Sequence, residues 1–110
     1  MIGRVWHGWA TAENASAYER LFRERILPGL RCIDGFAGAY LLRRDAHGEV
    51  EIATVTLFDS MADVRAFAGT DPAAAHVTPE ARRLLSRFQE TVDHYDVVLG
   101  PRDTETGWRG

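Results

Sequence analysis

The sequence predicts an α+β domain of ferredoxin-like order, β-α-β-β-α-β, with a four-stranded antiparallel sheet that carries its helices on one face. Three observations support this prediction. The 110 residues are the length of one domain with one hydrophobic core. Segments with the hydrophobic spacing of strands and of helices follow one another in that order. The sheet face opposite the helices is also apolar, and a second copy of the chain would cover it, which predicts a homodimer.

The first half of the chain predicts a strand, a helix and a second strand. Residues 2–10 contain the β-branched and aromatic side chains that strands favour. Thr11 can cap the next helix, which Pro28 ends or kinks. The buried stripe of this helix follows helical spacing through Tyr18, Leu21, Phe22 and Ile26. Residues 36–44 form the second strand, and residues 45–48 form a hairpin connector that ends in glycine.

The second half predicts a third strand, two helical segments and a fourth strand. Residues 49–59 are apolar on both faces, which is typical of a central strand. Ser60 caps the following helix. A further helix begins with Pro79 at its first position and carries a buried stripe as far as Phe88. Residues 91–99 alternate in the manner of a fourth strand.

The ends of the chain and its single cysteine bear on location. We assign residues 1–100 to the domain and residues 101–110 to a C-terminal tail, which is polar apart from Trp108. No apolar run approaches the roughly 20 residues that span a bilayer, and the N-terminus lacks the pattern of a signal peptide. Cys32 is the only cysteine, so an internal disulfide and a cysteine-based zinc site are excluded. These features predict a cytoplasmic protein without a membrane partner.

The composition argues against several classes of function. The net charge is −3 and the arginines are scattered, so the basic patch of a nucleic-acid-binding protein is absent. The chain has no lysine, which excludes Schiff-base chemistry and a Walker-type phosphate loop. No GxGxxG fingerprint of a Rossmann nucleotide site is present. We therefore expect a protein with no cofactor: no flavin, nucleotide or zinc.

Two histidines are the candidate catalytic residues. His76 lies in a turn after a helix that ends at glycine, where an imidazole could deprotonate a phenol or bind haem. Its sequence context alone favours a polar residue of an exposed turn. His7 lies between Trp6 and Trp9 on the first strand, as the polar anchor of a pocket or as a core histidine bonded to a carbonyl. His94, on the fourth strand, is better explained by a surface or an interface.

Aromatic side chains are frequent on the predicted strands and on the second helix. Five of them are candidate substrate-binding residues: Trp6, Trp9, Tyr40, Phe58 and Phe67. Such rings usually form the core, but a cleft lined by rings also suits a flat aromatic ligand. No spacing of carboxylates indicates a glycosidase, and no GxSxG elbow indicates a hydrolase.

Four short motifs make the chain similar to the antibiotic biosynthesis monooxygenase family of dimeric α/β barrels. They are Gly-Phe-Ala-Gly at residues 35–38, Thr-Leu-Phe-Asp-Ser at residues 56–60, Ala-Phe-Ala-Gly at residues 66–69 and Ala-His at residues 75–76. The resemblance extends from residue 2 to about residue 98. It implies a homodimer with a pocket in each subunit between the sheet and the helices.

The resemblance implies two kinds of chemistry. Some members of the family oxidise aromatic polyketide quinols or anthrones with O₂, without metal or flavin, and others bind and degrade haem. His76 matches the histidine of the haem-degrading members, and Phe67 occupies the position of their tryptophan. Their asparagine on the first strand has no counterpart, because Asn14 is the only asparagine and lies at the start of a helix.

The leading hypothesis is a cofactor-independent monooxygenase that oxidises a flat aromatic substrate with O₂. His76 and His7 are its catalytic candidates, and the substrate carbanion supplies the electrons. Two alternatives stay open. One is a non-catalytic dimeric module that binds a small hydrophobic or haem-like ligand, and the other is a divergent haem-degrading enzyme.

Overall fold

A computed structural model describes residues 1–104 of the chain. The elements in chain order are β1 (Ile2–Ala10), α1 (Ala12–Leu21), a π-helical turn (Phe22–Ile26), α2 (Leu27–Arg31), β2 (Phe36–Ala46), β3 (Glu49–Phe58), α3 (Met61–Ala68), α4 (Pro79–Leu84), β4 (Arg87–Phe88), β5 (Asp93–Asp96) and α5 (Pro101–Thr104). The predicted α+β class with an antiparallel sheet is confirmed. Trp108, in the predicted tail, lies outside the described residues. No helix within residues 1–104 has the length and apolar character needed to cross a membrane.

The sheet has the predicted ferredoxin-like order, with its fourth position divided in two. Its strands run β2-β3-β1-β4, and β5 pairs with the same edge of β1 as β4 does. All these pairs are antiparallel, and β1 pairs with β3 along its whole length, from Ile2↔Phe58 to Ala10↔Val50. Strand β3 is therefore central, as its two apolar faces predict.

The C-terminal half of the sheet differs from the prediction of one long helix and one long strand. Helix α4 ends at Leu84, and Leu85 already has an extended backbone. The next residues pair with the free edge of β1, because Ser86 N–H donates to the carbonyl of Trp9 at 2.7 Å and Gln89 N–H donates to that of His7 at 3.0 Å. Phe88 therefore belongs to a strand rather than to the helical stripe. The backbone N–H and C=O groups at the free edge of β1 need hydrogen-bond partners. This requirement outweighs the helical spacing of the apolar residues, which predicted a longer helix.

Pro28 lies within the long helical segment and does not end it. The segment passes from α1 through the π-helical turn into α2, where Pro28 lies in the first turn and the helix continues to Arg31. Proline has no N–H and its ring crowds the carbonyl of a regular preceding turn. The wider turn, in which Leu27 N–H donates to the carbonyl of Phe22, accommodates that ring.

The hairpin between β2 and β3 is tighter than the four-residue connector that the sequence predicts. Strand pairing continues to Ala46↔Glu49, which leaves a turn of two residues, His47 and Gly48. Both have positive φ, 54° and 80° respectively. This geometry matches the right-handed twist of the flanking strands and is the common one for a two-residue hairpin.

Alternation along the strands gives the sheet two different faces. Even-numbered residues of β1 and β3 point toward the helices, and the buried core there comprises Trp6, Ala10, Ala15, Tyr18, Phe22, Leu30, Val50, Ile52, Ala81, Leu85 and Val92. The opposite face, which we call the open face, presents exposed rings and aliphatic groups. Tyr40, Leu42 and Tyr95 are 46%, 50% and 59% exposed there.

Candidate active site

A cavity of about 130 Å³ lies between the sheet and the helices. Its apolar wall is built from β1, α1, the helical segment after it, and α3: Trp6, Tyr18, Phe22, Ile26, Leu30 and Phe67. Its polar side chains come from the first and third strands and from the segment after α3: Arg4, Thr54, Thr56, His76 and Thr78. The volume is close to the roughly 150 Å³ of a cavity that takes benzene, so one aromatic ring fits within it.

His76 lies at the wall of this cavity and is exposed to solvent. Its Nε2 is 2.9 Å from the carbonyl oxygen of Ala68, the last residue of α3. A carbonyl can only accept, so Nε2 carries the proton of the neutral ring and Nδ1 keeps its lone pair. The carbonyl is available because Gly69, with φ 83°, ends the helix there. The contact orients His76 as a proton acceptor through Nδ1.

Phe67 packs against the ring of His76. The two rings meet edge-on, with centroids 6.0 Å apart. Phe67 is in turn stacked on Phe58 at 5.5 Å, and Phe36 meets Phe58 edge-on at 5.8 Å. Phe58 is fully buried and supports Phe67 from behind. Of these predicted substrate-binding residues, Phe67 reaches the cavity wall and Phe58 does not.

Trp6 and Tyr18 form the far wall. The indole Nε1 of Trp6 donates to the carbonyl of Gln89 at 2.7 Å, which leaves the ring face toward α1. Burial raises the pKa of Tyr18 to about 12. The Tyr18 hydroxyl has no hydrogen-bond partner within residues 1–104, yet no fully enclosed side-chain oxygen in that range lacks one. The hydroxyl therefore keeps some contact with solvent-accessible space.

The remaining predicted site residues lie on the open face, across the sheet from His76. His7 contacts Gln89 through Nδ1, 3.2 Å from Oε1, and its Nε2 is 3.7 Å from a carboxylate oxygen of Glu51. Trp9 stacks beside His7 and carries the Arg87 guanidinium 4.0 Å above its ring. Tyr40 is exposed on the same face. The structure therefore does not bring His7, Trp9 or Tyr40 together with His76.

Arg4 is the cavity residue that sequence analysis missed. Its side chain is buried on the helix-facing side of β1, next to Thr56 of β3 and His94 of β5 in the sheet register. Its Nη1 lies 3.1 Å from Nε2 of His94, so that histidine contacts a buried arginine. The signal was present in the alternation, which places Arg4 and Trp6 on one face of β1.

Solved structures share this fold. Two of them, from Deinococcus radiodurans and Bacillus cereus, are each described as a "putative antibiotic biosynthesis monooxygenase". The first has a TM-score of 0.56 at 15% sequence identity, over 91% of this chain and 95% of that one. The second has a TM-score of 0.60 at 12% identity, over 99% and 98%. No family model and no curated protein matches the chain.

These likenesses define the class of the fold. The chain is an α+β domain with an antiparallel ferredoxin-like sheet, a helical layer on one face and a cavity between the two. It has the fold of the two proteins so described. The resemblance read from the sequence motifs is thereby supported at the level of the fold, and the chemistry depends on the cavity itself.

Proposed function

We propose that this protein is a cofactor-independent monooxygenase of the antibiotic biosynthesis type, which oxidises a flat, phenolic aromatic substrate with O₂. The observation that carries the proposal is the orientation of His76. Its Nε2 proton is committed to the carbonyl of Ala68, and its Nδ1 is left as a base beside an aromatic wall. A base in that position can remove the proton of a quinol or anthrone and make the substrate electron-rich.

The reaction then balances without a further reductant. The deprotonated ring passes electrons to O₂, and one oxygen atom is retained at the reacting carbon as a carbonyl. The second oxygen leaves as water with the two hydrogens that the substrate loses. The chain contributes a ring-lined space, the orientation of the substrate and the base His76. His7 has no part in this step, because it lies on the other face of the sheet.

The size of the cavity limits the substrate. A volume of about 130 Å³ accepts one ring, so a larger polyketide-like quinol would project out of the cavity. A haem has four pyrrole rings and is much larger than this space. The volume therefore favours a small aromatic substrate over the haem-like ligand of the alternative hypotheses.

A non-catalytic ligand-binding domain is the second candidate, and one observation favours it. His76 is exposed to solvent, so water competes for the proton-accepting nitrogen. In that case the cavity binds a small aromatic ligand and His76 only borders the mouth.

We also propose that the protein works as a homodimer in the cytosol. The open face presents Tyr40, Leu42 and Tyr95 to water in the single chain, and the same face of a second copy would cover them. The cytosol suits a chain whose one cysteine, Cys32, is an exposed free thiol.

Oxygen uptake with anthrone and with the smaller 1-naphthol tests the proposed activity. We expect the protein to accelerate uptake over the spontaneous rate, and His76→Gln to reduce the acceleration by about 10²–10⁴-fold through loss of the base. His47→Gln is the matched control, because His47 lies in the exposed hairpin turn. Full activity in His76→Gln would contradict the assigned base. Ligand binding without oxygen uptake by the parent would favour the second candidate.

A further inference from the structure

Arg4 is the only charged residue that is buried within residues 1–104, at 6% exposure. Burying a charge is costly unless an opposite charge compensates it, and arginine is rarely buried without such a partner. Four other arginines, Arg25, Arg43, Arg44 and Arg87, each lie within 4.0 Å of a glutamate. For Arg4 no carboxylate of the described residues lies within that distance.

Among the described residues, the hydrogen-bond partners of Arg4 are uncharged acceptors. Its Nη1 donates to the carbonyl of Pro72 at 2.5 Å and to Nε2 of His94 at 3.1 Å, and its Nη2 donates to the carbonyl of Ala74 at 3.0 Å. The pKa of His94 is lowered by burial and by Arg4, and raised less by Asp93. The imidazole is therefore neutral at neutral pH and can accept from Arg4. These contacts orient the guanidinium but leave its charge uncompensated.

Arg4 also keeps hydrogen-bonding capacity. A guanidinium has five N–H groups, and the three contacts above leave two of them, on Nε and Nη2. No fully enclosed side-chain nitrogen in residues 1–104 lacks a partner, so Nε stays in contact with solvent-accessible space. The side chain lines the cavity, as does the buried Thr54, whose hydroxyl also has no hydrogen-bond partner among residues 1–104.

We propose that Arg4 is the anion-binding end of the cavity and that the ligand is a small aromatic compound with an ionised oxygen group, a carboxylate or a phenolate. This inference rests on the proposed function in taking the same cavity as the substrate site. The ligand ring lies between Trp6 and Phe67, and its anionic oxygen accepts from the free N–H groups of Arg4 and the hydroxyl of Thr54. An ionised oxygen would compensate the buried charge.

Arg4 then selects substrates by charge and positions the ring. In the single chain its Cζ lies 5.6 Å from the centre of the Phe67 ring, so the cation already contacts the aromatic wall. An anion held there places the ring next to Phe67, whose ring also contacts His76 edge-on at the wall of the same cavity. A phenolate is also the species that His76 would generate, so Arg4 stabilises the product of the proton transfer.

Benzoate and benzamide provide a matched pair of probes, because they have nearly the same shape and differ in charge. Titration followed by ¹H–¹⁵N NMR gives both dissociation constants and locates binding through the amides of residues 74–76. We expect benzoate to bind about ten- to a hundredfold more tightly than benzamide, since a hydrogen bond to a charged group has that value. Equal affinities, or benzoate shifts confined to other residues, would overturn the proposal.

Arg4→Gln is expected to remove the preference for benzoate, so that the dissociation constants of benzoate and benzamide come within about twofold of each other. Arg65→Gln is the matched control, because it removes one charge from an exposed position of α3 and should keep the preference. Arg4→Lys retains the positive charge but lacks the planar guanidinium group, and it should keep part of the preference for benzoate. If Arg4→Gln does not fold, the proposal is tested by the affinities of benzoate and benzamide for the parent and for Arg4→Lys. A folded Arg4→Gln that still prefers benzoate would overturn the proposal.

This binding test is independent of oxygen chemistry. Selective benzoate binding without oxygen uptake from any phenol would leave Arg4 as an anion site and would remove the monooxygenase proposal. Oxygen uptake by a protein that binds benzoate and benzamide equally would support the monooxygenase proposal and would overturn the anion site at Arg4.

Discussion

The rings of Trp6 and Tyr18 stack across the boundary between sheet and helix, with centroids 6.3 Å apart and planes inclined by 25°. Trp6 belongs to β1 and Tyr18 to α1, and both line the cavity. The same stack therefore packs α1 onto the sheet and forms one wall of the proposed site. A change that moves either ring should affect both stability and ligand binding.

Tyr18 gives the protein an alkaline limit of stability. The pKa of Tyr18 is about 12 in the folded state, above the ordinary value near 10. The stabilising contribution of neutral Tyr18 to the free energy of unfolding is therefore complete below about pH 10 and is lost as the pH rises toward 12. The chain has no lysine, so no lysine ammonium group titrates in this window. Urea unfolding measures the free energy of unfolding at about pH 9 and about pH 11. Its decrease between these pH values should be about 1 kcal/mol smaller in Tyr18→Phe than in the parent.

Tyr95→Phe is the control for this effect, because Tyr95 is 59% exposed on the open face. It should lose stability with pH as the parent does. The prediction is wrong if Tyr18→Phe loses as much stability as the parent between the two pH values.

Gly8 is required by the position of the Trp6 ring. A Cβ at residue 8 would lie 2.7 Å from Cη2 of Trp6 and 3.2 Å from Cδ2 of Leu85. The indole cannot move away freely because it is stacked on Tyr18 and bonded to the carbonyl of Gln89. We expect Gly8→Ala to lower the free energy of unfolding by about 1–3 kcal/mol and to shift the Nε1–H resonance of Trp6.

Gly3→Ala is the matched control on the same strand. Its Cβ would meet Cγ2 of Val97 at 3.5 Å, an ordinary contact, so the free energy of unfolding should change by less than about 0.5 kcal/mol. Equal effects of the two substitutions would show that the Trp6 ring yields readily.

The fold was predictable because strand alternation is strict. The period of two placed Arg4, Trp6 and Gly8 on one face of β1 and His7 and Trp9 on the other, and the structure agrees. The same alternation separates His7 from His76. Trp6 faces the cavity that His76 borders, so its neighbour on the strand, His7, faces the other side of the sheet. It did not indicate how the chain after α4 divides, because that depends on the hydrogen-bonding needs of the β1 edge.

The candidate site was only partly predictable. Phe67 and His76 were found through helical spacing and the resemblance, and Trp6 through its aromatic character. The role of Arg4 depends on the carbonyls of Pro72 and Ala74, which are 68 and 70 residues away in the sequence. No local pattern reports such a contact. Strand alternation places Arg4 on the same face of β1 as Trp6, but it does not show which groups accept from the guanidinium.

The open face predicts the oligomeric state, and Leu42 is the residue to change. It lies on β2 opposite Ala53 of β3 and is 50% exposed in the single chain. Light scattering at micromolar concentration should give twice the monomer mass of 12.3 kDa for the parent. Leu42→Glu should give monomers, because a carboxylate buried against a second apolar face loses its hydration without gaining a partner. Ala62→Glu adds the same charge to an exposed position of α3, on the helical side of the sheet, and should remain dimeric. A monomeric parent, or a Leu42→Glu variant as dimeric as Ala62→Glu, would show that a second copy does not cover this face.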